Sequence, residues 1–130
     1  MALSEGLADT SVFIALEAGR RLDLSALPER LAVWVITIGE LRAGVLAAPD
    51  PAQRARRLAT LEDALELDPL PIDELVAAAW ALLRVQLHEA QQRMPVNDSW
   101  IAATALAHGL AVVTQDDDYA VATGLKVVKV

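Results

Sequence analysis

A chain of 130 residues, 55% of them hydrophobic, is long enough for one domain with a real core and too short for two ordinary ones. A formal charge of −7 argues against gripping nucleic acid through net charge alone, and the lack of cysteine rules out disulfides and thiolate zinc sites. Two histidines, His88 and His108, leave little room for an imidazole-rich metal site or a Ser-His-Asp triad.

The opening stretch MALSEGLADT has no basic region and carries Glu5, so it does not read as a signal peptide. "GLAD" (6–9) reads as a short strand, followed by a helix over "TSVFIALEAG" that ends at Gly19. "LAVWVI" (31–36) is β-branched and aromatic and reads as a buried strand. A helix over 37–48 follows, closed by Pro49, and the next, over 50–66, opens with Asp50 as cap and Pro51 in its first turn. Leu58, Leu61 and Leu65 would form its apolar stripe. "LDPLP" (67–71) is a weak strand. The strongest helical period runs over 73–91, with Leu75, Val76, Ala79, Trp80, Leu83 and Leu87 on one face. A further helix covers 97–109, and "LAVVT" (110–114) and "LKVVKV" (125–130) are strands.

Helices alternating with apolar strands predict a mostly parallel central sheet covered on both sides, a three-layer α/β/α sandwich. The longest apolar run, around "LAVWVITIG", is far too short to span a membrane, so the expected location is cytoplasmic. A mean hydropathy of +0.36 predicts an exposed apolar patch, and with it a dimer or a bound partner.

In open parallel sheets, sites form beyond the carboxyl ends of the strands. Asp9 follows the first strand, Asp116 to Asp118 follow "AVVT" after one residue, Glu40 falls in the first turn of the second helix, and Asp98 opens the helix after Pro95. Parallel strands would bring all these carboxylates to one edge. Hard cations such as Mg²⁺ or Mn²⁺ take oxygen ligands of this kind. Such a cation can lower the pKa of a water and neutralise charge growing on a phosphate, which suits phosphodiester hydrolysis. Each acid also has a purely structural reading. Asp9 and Asp98 could be plain helix caps, Glu40 could close a T-x-x-E capping box with Thr37, and the Asp116–Asp118 run could be a solvated turn.

"LADTSVFIAL", "ITIGELRAGVL", "VNDSWIAATALAHGLAVVTQDDDY" and "GLKVV" occur in the order seen in PIN-domain ribonucleases, and the chain resembles the VapC toxins of type II toxin–antitoxin pairs. The likeness runs from Leu7 to Val128 and implies a single PIN domain over 1–130. It implies an Mg²⁺- or Mn²⁺-dependent endoribonuclease with Asp9, Glu40, Asp98 and Asp116 as catalytic acids. Asp9, Asp98 and Asp116 would be the direct metal ligands and Asp118 an auxiliary acid. Glu40 would bridge through water or orient the nucleophile. Ser11 and Thr114 match the family's hydroxyl positions and would hold ligands in place. Asp117 would face solvent. Tyr119 stands where the family commonly has Phe. The implied partners are an RNA substrate, a VapB-like antitoxin and a second copy of the chain, with no membrane and no organic cofactor.

Two rivals remain open at this level. One is a PIN-like binding module without catalysis. The other is a phospho-acceptor receiver domain, which needs an acidic pair after the first strand and an acceptor aspartate after a middle one. Here Asp9 is followed by Thr10, and "LDPLP" offers only Asp68 before a proline. A D-x-D phosphatase fails similarly, because position 11 is Ser. His88 and His108 read as helix-end surface residues, and Trp34, Trp80 and Trp100 as core or interface anchors. The arginines at 54–57 read as a solvated helix face, or else as a grip on RNA phosphates or an acidic partner.

Overall fold

Four parallel strands of three or four residues organise the chain in a computed structural model that describes residues 4–130. The first three residues, part of the N-terminal stretch read above, lie outside the described residues. In chain order the elements are β1 (Glu5–Ala8), α1 (Thr10–Glu17), a short 3₁₀ turn (Leu24–Ala26), β2 (Arg30–Val33), α2 (Val35–Leu46), α3 (Pro51–Leu65), α4 (Glu74–Glu89), α5 (Val96–His108), β3 (Ala111–Thr114) and β4 (Val127–Lys129). The sheet order is β2-β1-β3-β4, and every pairing is parallel.

Alternation along the strands separates two cores. Leu7, Ala32 and Val112 face α4 and α5, where they meet Leu83, Leu87, Ile101, Ala102 and Ala105. Their neighbours Ala8, Val33 and Val113 face the other way, onto Val12 and Phe13 of α1, Ile38 and Leu41 of α2, and Leu61 and Ala64 of α3. A two-residue period in a parallel sheet buries both faces, which gives the three expected layers. The two strands on either side of β1 are reached in opposite directions, so the β1–β3 junction is the switch point where a crevice opens.

Several sequence expectations shift. The strand expected over 31–36 stops at Val33. Trp34 instead bridges Leu70: the Leu70 N–H donates to the Val33 carbonyl (2.8 Å), and the Val35 N–H donates to the Leu70 carbonyl (3.0 Å). α2 therefore starts at Val35, which puts Thr37 inside the helix and Glu40 in its second turn rather than its first. The Thr37–Glu40 capping box does not exist; a β-branched apolar run carries no mark of where strand yields to helix. "LDPLP" contributes that isolated bridge and no strand. α5 begins at Val96 with Pro95 as its cap residue, so Asp98 sits inside the first turn and is not the cap. Leu75 is 71% exposed while Val76 is buried, because the inward face of α4 is set by Val76, Leu83 and Leu87. In α3, Leu61 and Ala64 turn inward and leave Leu58 and Leu65 at the margins.

Candidate metal centre

Asp9 is the hub. It is 3% exposed and lies one residue beyond β1, where it caps α1 by accepting the Ser11 N–H at 3.0 Å. The same Oδ1 accepts the Ser11 hydroxyl (2.5 Å), while Oδ2 accepts the hydroxyls of Thr114 (2.6 Å) and Tyr119 (3.1 Å). The cap reading of Asp9 is thus borne out, and the same side chain gathers the hydroxyls of Ser11, Thr114 and Tyr119.

The aspartate run is tied to this hub by a relay. The Gln115 N–H donates to Ser11 Oγ (3.1 Å) and the Asp116 N–H donates to Thr114 Oγ1 (2.9 Å). Each hydroxyl takes a backbone hydrogen from the loop after β3 and passes its own hydrogen to Asp9. Two buried-edge hydroxyls thereby convert the "VTQD" turn into a fixed platform beside β1. Asp117 turns outward, 86% exposed at its side chain, and pairs with Lys129. The solvent-facing role expected for it holds.

Asp98 arrives from α5. Tyr119 Oη stands 3.3 Å from its Oδ1, so the phenol lies between the Asp9 and Asp98 carboxylates. Burial, then the charge of the neighbouring Asp118, push the Asp98 carboxyl up to about 6, with Asp9 adding to the effect. The Asp116 carboxyl is also raised, by burial first and then by Asp9, Asp118 and Asp117, against a lowering pull from Lys129. These carboxylates repel one another across a shared space, with Lys129 giving a partial offset at Asp116.

Glu40 enters differently. Thr10 donates to its Oε1 at 3.2 Å, and the Thr10 and Thr37 hydroxyls lie 3.0 Å apart. It reaches the cluster from α2 through Thr10, the residue after Asp9.

Sequence reasoning missed two members. Thr10 was read only as the residue after Asp9, yet it is what holds Glu40. Tyr119 was noted only as a replacement for Phe; the hydroxyl that distinguishes the two residues is the signal that could have been followed. Burial and the Asp9 and Asp98 charges raise the Tyr119 phenol, so it stays protonated and remains a donor.

Among the described residues no three His, Asp or Glu side chains are already set to hold one metal ion. The donor chemistry nevertheless fits a hard divalent cation. Every donor is a carboxylate or hydroxyl oxygen, and no sulfur or imidazole intervenes. The residues that could hold the ion are Asp9, Asp98 and Asp116, with Asp118 adjacent.

The remaining features take structural roles. The Arg57 guanidinium donates to the Gly44 carbonyl in the last turn of α2 (2.7 Å), while Arg54 and Arg56 are exposed. Trp34 is core. Trp80 and Trp100 stack with centroids 4.4 Å apart, Arg84 lies over Trp80, and the Trp80 indole donates to Ser99 Oγ (3.0 Å). His88 and His108 are exposed at helix ends, as expected.

The PIN-domain family pattern matches residues 7–125. The ribonuclease VapC4 of Mycobacterium tuberculosis is 51% identical over 135 aligned positions that cover all of both chains. Ribonuclease VapC5 of the same organism is 50% identical over 125, covering 96% of this chain and 93% of its own. Among solved structures, VapBC-5 from M. tuberculosis, a member of the VapBC family of toxin–antitoxin systems, superposes with a TM-score of 0.87 at 45% identity, covering 98% of this chain and 99% of that one. FitAcB from Neisseria gonorrhoeae gives 0.76 at 31% identity, covering 94% and 95%. The chain belongs to the PIN-domain family and, within it, to the VapC group.

Proposed function

We infer that this chain is a VapC-type endoribonuclease toxin, neutralised by a VapB-like antitoxin, and that its site works with Mg²⁺ or Mn²⁺. The observation that carries the reading is the meeting of Asp9, Asp98 and the Asp116 loop through Tyr119, Thr114 and Ser11 at the carboxyl edge of the sheet. A receiver domain is set aside by the family match and by Asp68, which lies outside any strand.

Asp9, Asp98 and Asp116 would hold the cation, and Asp118 would support it. The cation supplies the charge that offsets the phosphate in a chain of net −7. Ser11 and Thr114 keep the Asp9 oxygens oriented. Glu40, steadied by Thr10, orients the attacking water. The water oxygen bonds to phosphorus, the bond to the 3′ oxygen breaks, and that oxygen leaves with a proton, giving a 5′-phosphate and a 3′-hydroxyl. The antitoxin's inhibitory group would be a guanidinium, which matches paired carboxylates and competes with a cation for them.

The chain reads as one PIN domain over 1–130 working in the cytoplasm as a homodimer; no described helix is long and apolar enough to cross a membrane. The test is cleavage of RNA by purified, antitoxin-free protein with Mg²⁺ or Mn²⁺, beside a chelator and Asp9→Asn. Cleavage lost in both controls is expected. Equal cleavage by the variant would defeat the site assignment, and inertness of the wild type towards cellular RNA would favour a binding module.

A further inference from the structure

Asp9 has no acceptor capacity to spare. A carboxylate accepts about four hydrogen bonds, two at each oxygen. Oδ1 takes the Ser11 N–H and hydroxyl at 3.0 and 2.5 Å, and Oδ2 takes Thr114 and Tyr119 at 2.6 and 3.1 Å. A cation held directly by Asp9 must displace one of these donors.

Three of them are locked. The Ser11 N–H is the cap of α1, the Ser11 hydroxyl accepts from the Gln115 N–H, and the Thr114 hydroxyl accepts from the Asp116 N–H. The fourth differs. The Tyr119 bond is the longest of the set, and among the described residues its oxygen has only carboxylate partners, Asp9 and Asp98. Tyr119 is 1% exposed and belongs to the buried core on the α4 and α5 side of the sheet, so its ring cannot swing away. Its single hydrogen can serve only one carboxylate at a time, and rotation about the C–O bond moves it from one to the other.

We propose that the Tyr119 hydroxyl is a placeholder for the cation. It stands between Asp9 and Asp98, and it turns its hydrogen from Asp9 to Asp98 when an ion takes up Asp9 Oδ2. Tyr119 is then a positioning residue that weakens ion binding while holding the Asp9 and Asp98 carboxylates in register. This rests on the reading of the cluster as a cation site.

Tyr119 is the chain's only tyrosine, so labelling tyrosine with ¹³C at Cζ gives one resonance from one residue. Mg²⁺ should shift that resonance in the wild type until the site saturates. Calorimetric titration with Mn²⁺ should find Tyr119→Phe binding about three- to tenfold more tightly, the scale of one competing hydrogen bond removed. A purely structural hydroxyl predicts the opposite, weaker or unchanged binding in Tyr119→Phe, and that result would overturn the proposal. So would a resonance that stays put while Mn²⁺ and Mg²⁺ bind, a result that needs no variant and leaves the cation reading standing. Failure of the wild type to bind either ion would remove both together.

Discussion

Burial and the facing Asp118 raise the Asp98 carboxyl to about 6 from an ordinary value of 3.8, so at neutral pH the metal-free fold holds an ionised group where a protonated one would suit it better. The sign follows from linkage. The native state binds this proton more tightly than the unfolded chain, so the group's contribution to stability is full below 3.8 and is lost as pH rises through about 6. Asp98→Asn should therefore melt higher than the wild type at pH 7.5 without metal, with the gap shrinking towards pH 5. The same variant should lose the rise in Tm that Mg²⁺ gives the wild type. Thermal melts of both proteins at the two pH values, with and without Mg²⁺, check this; a variant that melts lower at pH 7.5 would contradict it. The hydroxyl relay makes a separate prediction. Thr114→Ala strips a charge-assisted bond from Asp9 Oδ2 and leaves the Asp116 N–H without its acceptor, and such bonds are worth about 1.5–3 kcal/mol. Weaker Mn²⁺ binding, by about 10- to 100-fold, should accompany a lower urea midpoint.

At the scale of elements, β1 delivers Asp9, and its path depends on Gly6. A Cβ there would lie 2.7 Å from Val113 Cγ2 and 2.9 Å from Pro28 Cγ, so β1 could not sit this close to β3 and the segment before β2. Gly6→Ala should cost about 1–3 kcal/mol by overpacking, read as a drop in urea midpoint at unchanged m-value. Gly109 closes α5 at φ +65, a left-handed conformation that explains why the helix stops where the sequence predicted. Elements marked by such local chemistry were legible: Asp50-Pro51 opened α3, and Gly109 ended α5. The β2–α2 boundary was not, because "LAVWVI" reads as one apolar run. What splits it is the pairing of Trp34 with Leu70, thirty-six positions on. A partner that far along the chain leaves no local mark.

For the whole molecule, the exposed apolar surface expected from composition lies in part on α4, where Leu75, Leu82 and Val85 are 71, 61 and 54% exposed. If the homodimer uses this stripe, Leu82→Glu should run as a monomer in light scattering while the wild type runs as a dimer. A dimeric variant would move the interface elsewhere. The placement of the proposed acids was legible because each lies just past a strand or in the early turns of a helix, positions that parallel topology brings to one edge. Tyr119 and Thr10 were not, since their part depends on hydroxyl geometry that only the packed core fixes. The distinction between Asp116 and Asp117 offers the most direct test of the central claim. RNA cleavage in Mg²⁺ should be measured in one series for wild type, Asp9→Asn, Asp98→Asn, Asp116→Asn and Asp117→Asn. The account predicts losses of at least about 100-fold for the first three variants, comparable to removing a charge-stabilising group from an active site, and near wild-type cleavage for Asp117→Asn. Cleavage that survives at Asp9, Asp98 and Asp116, or falls equally at Asp117, would contradict it.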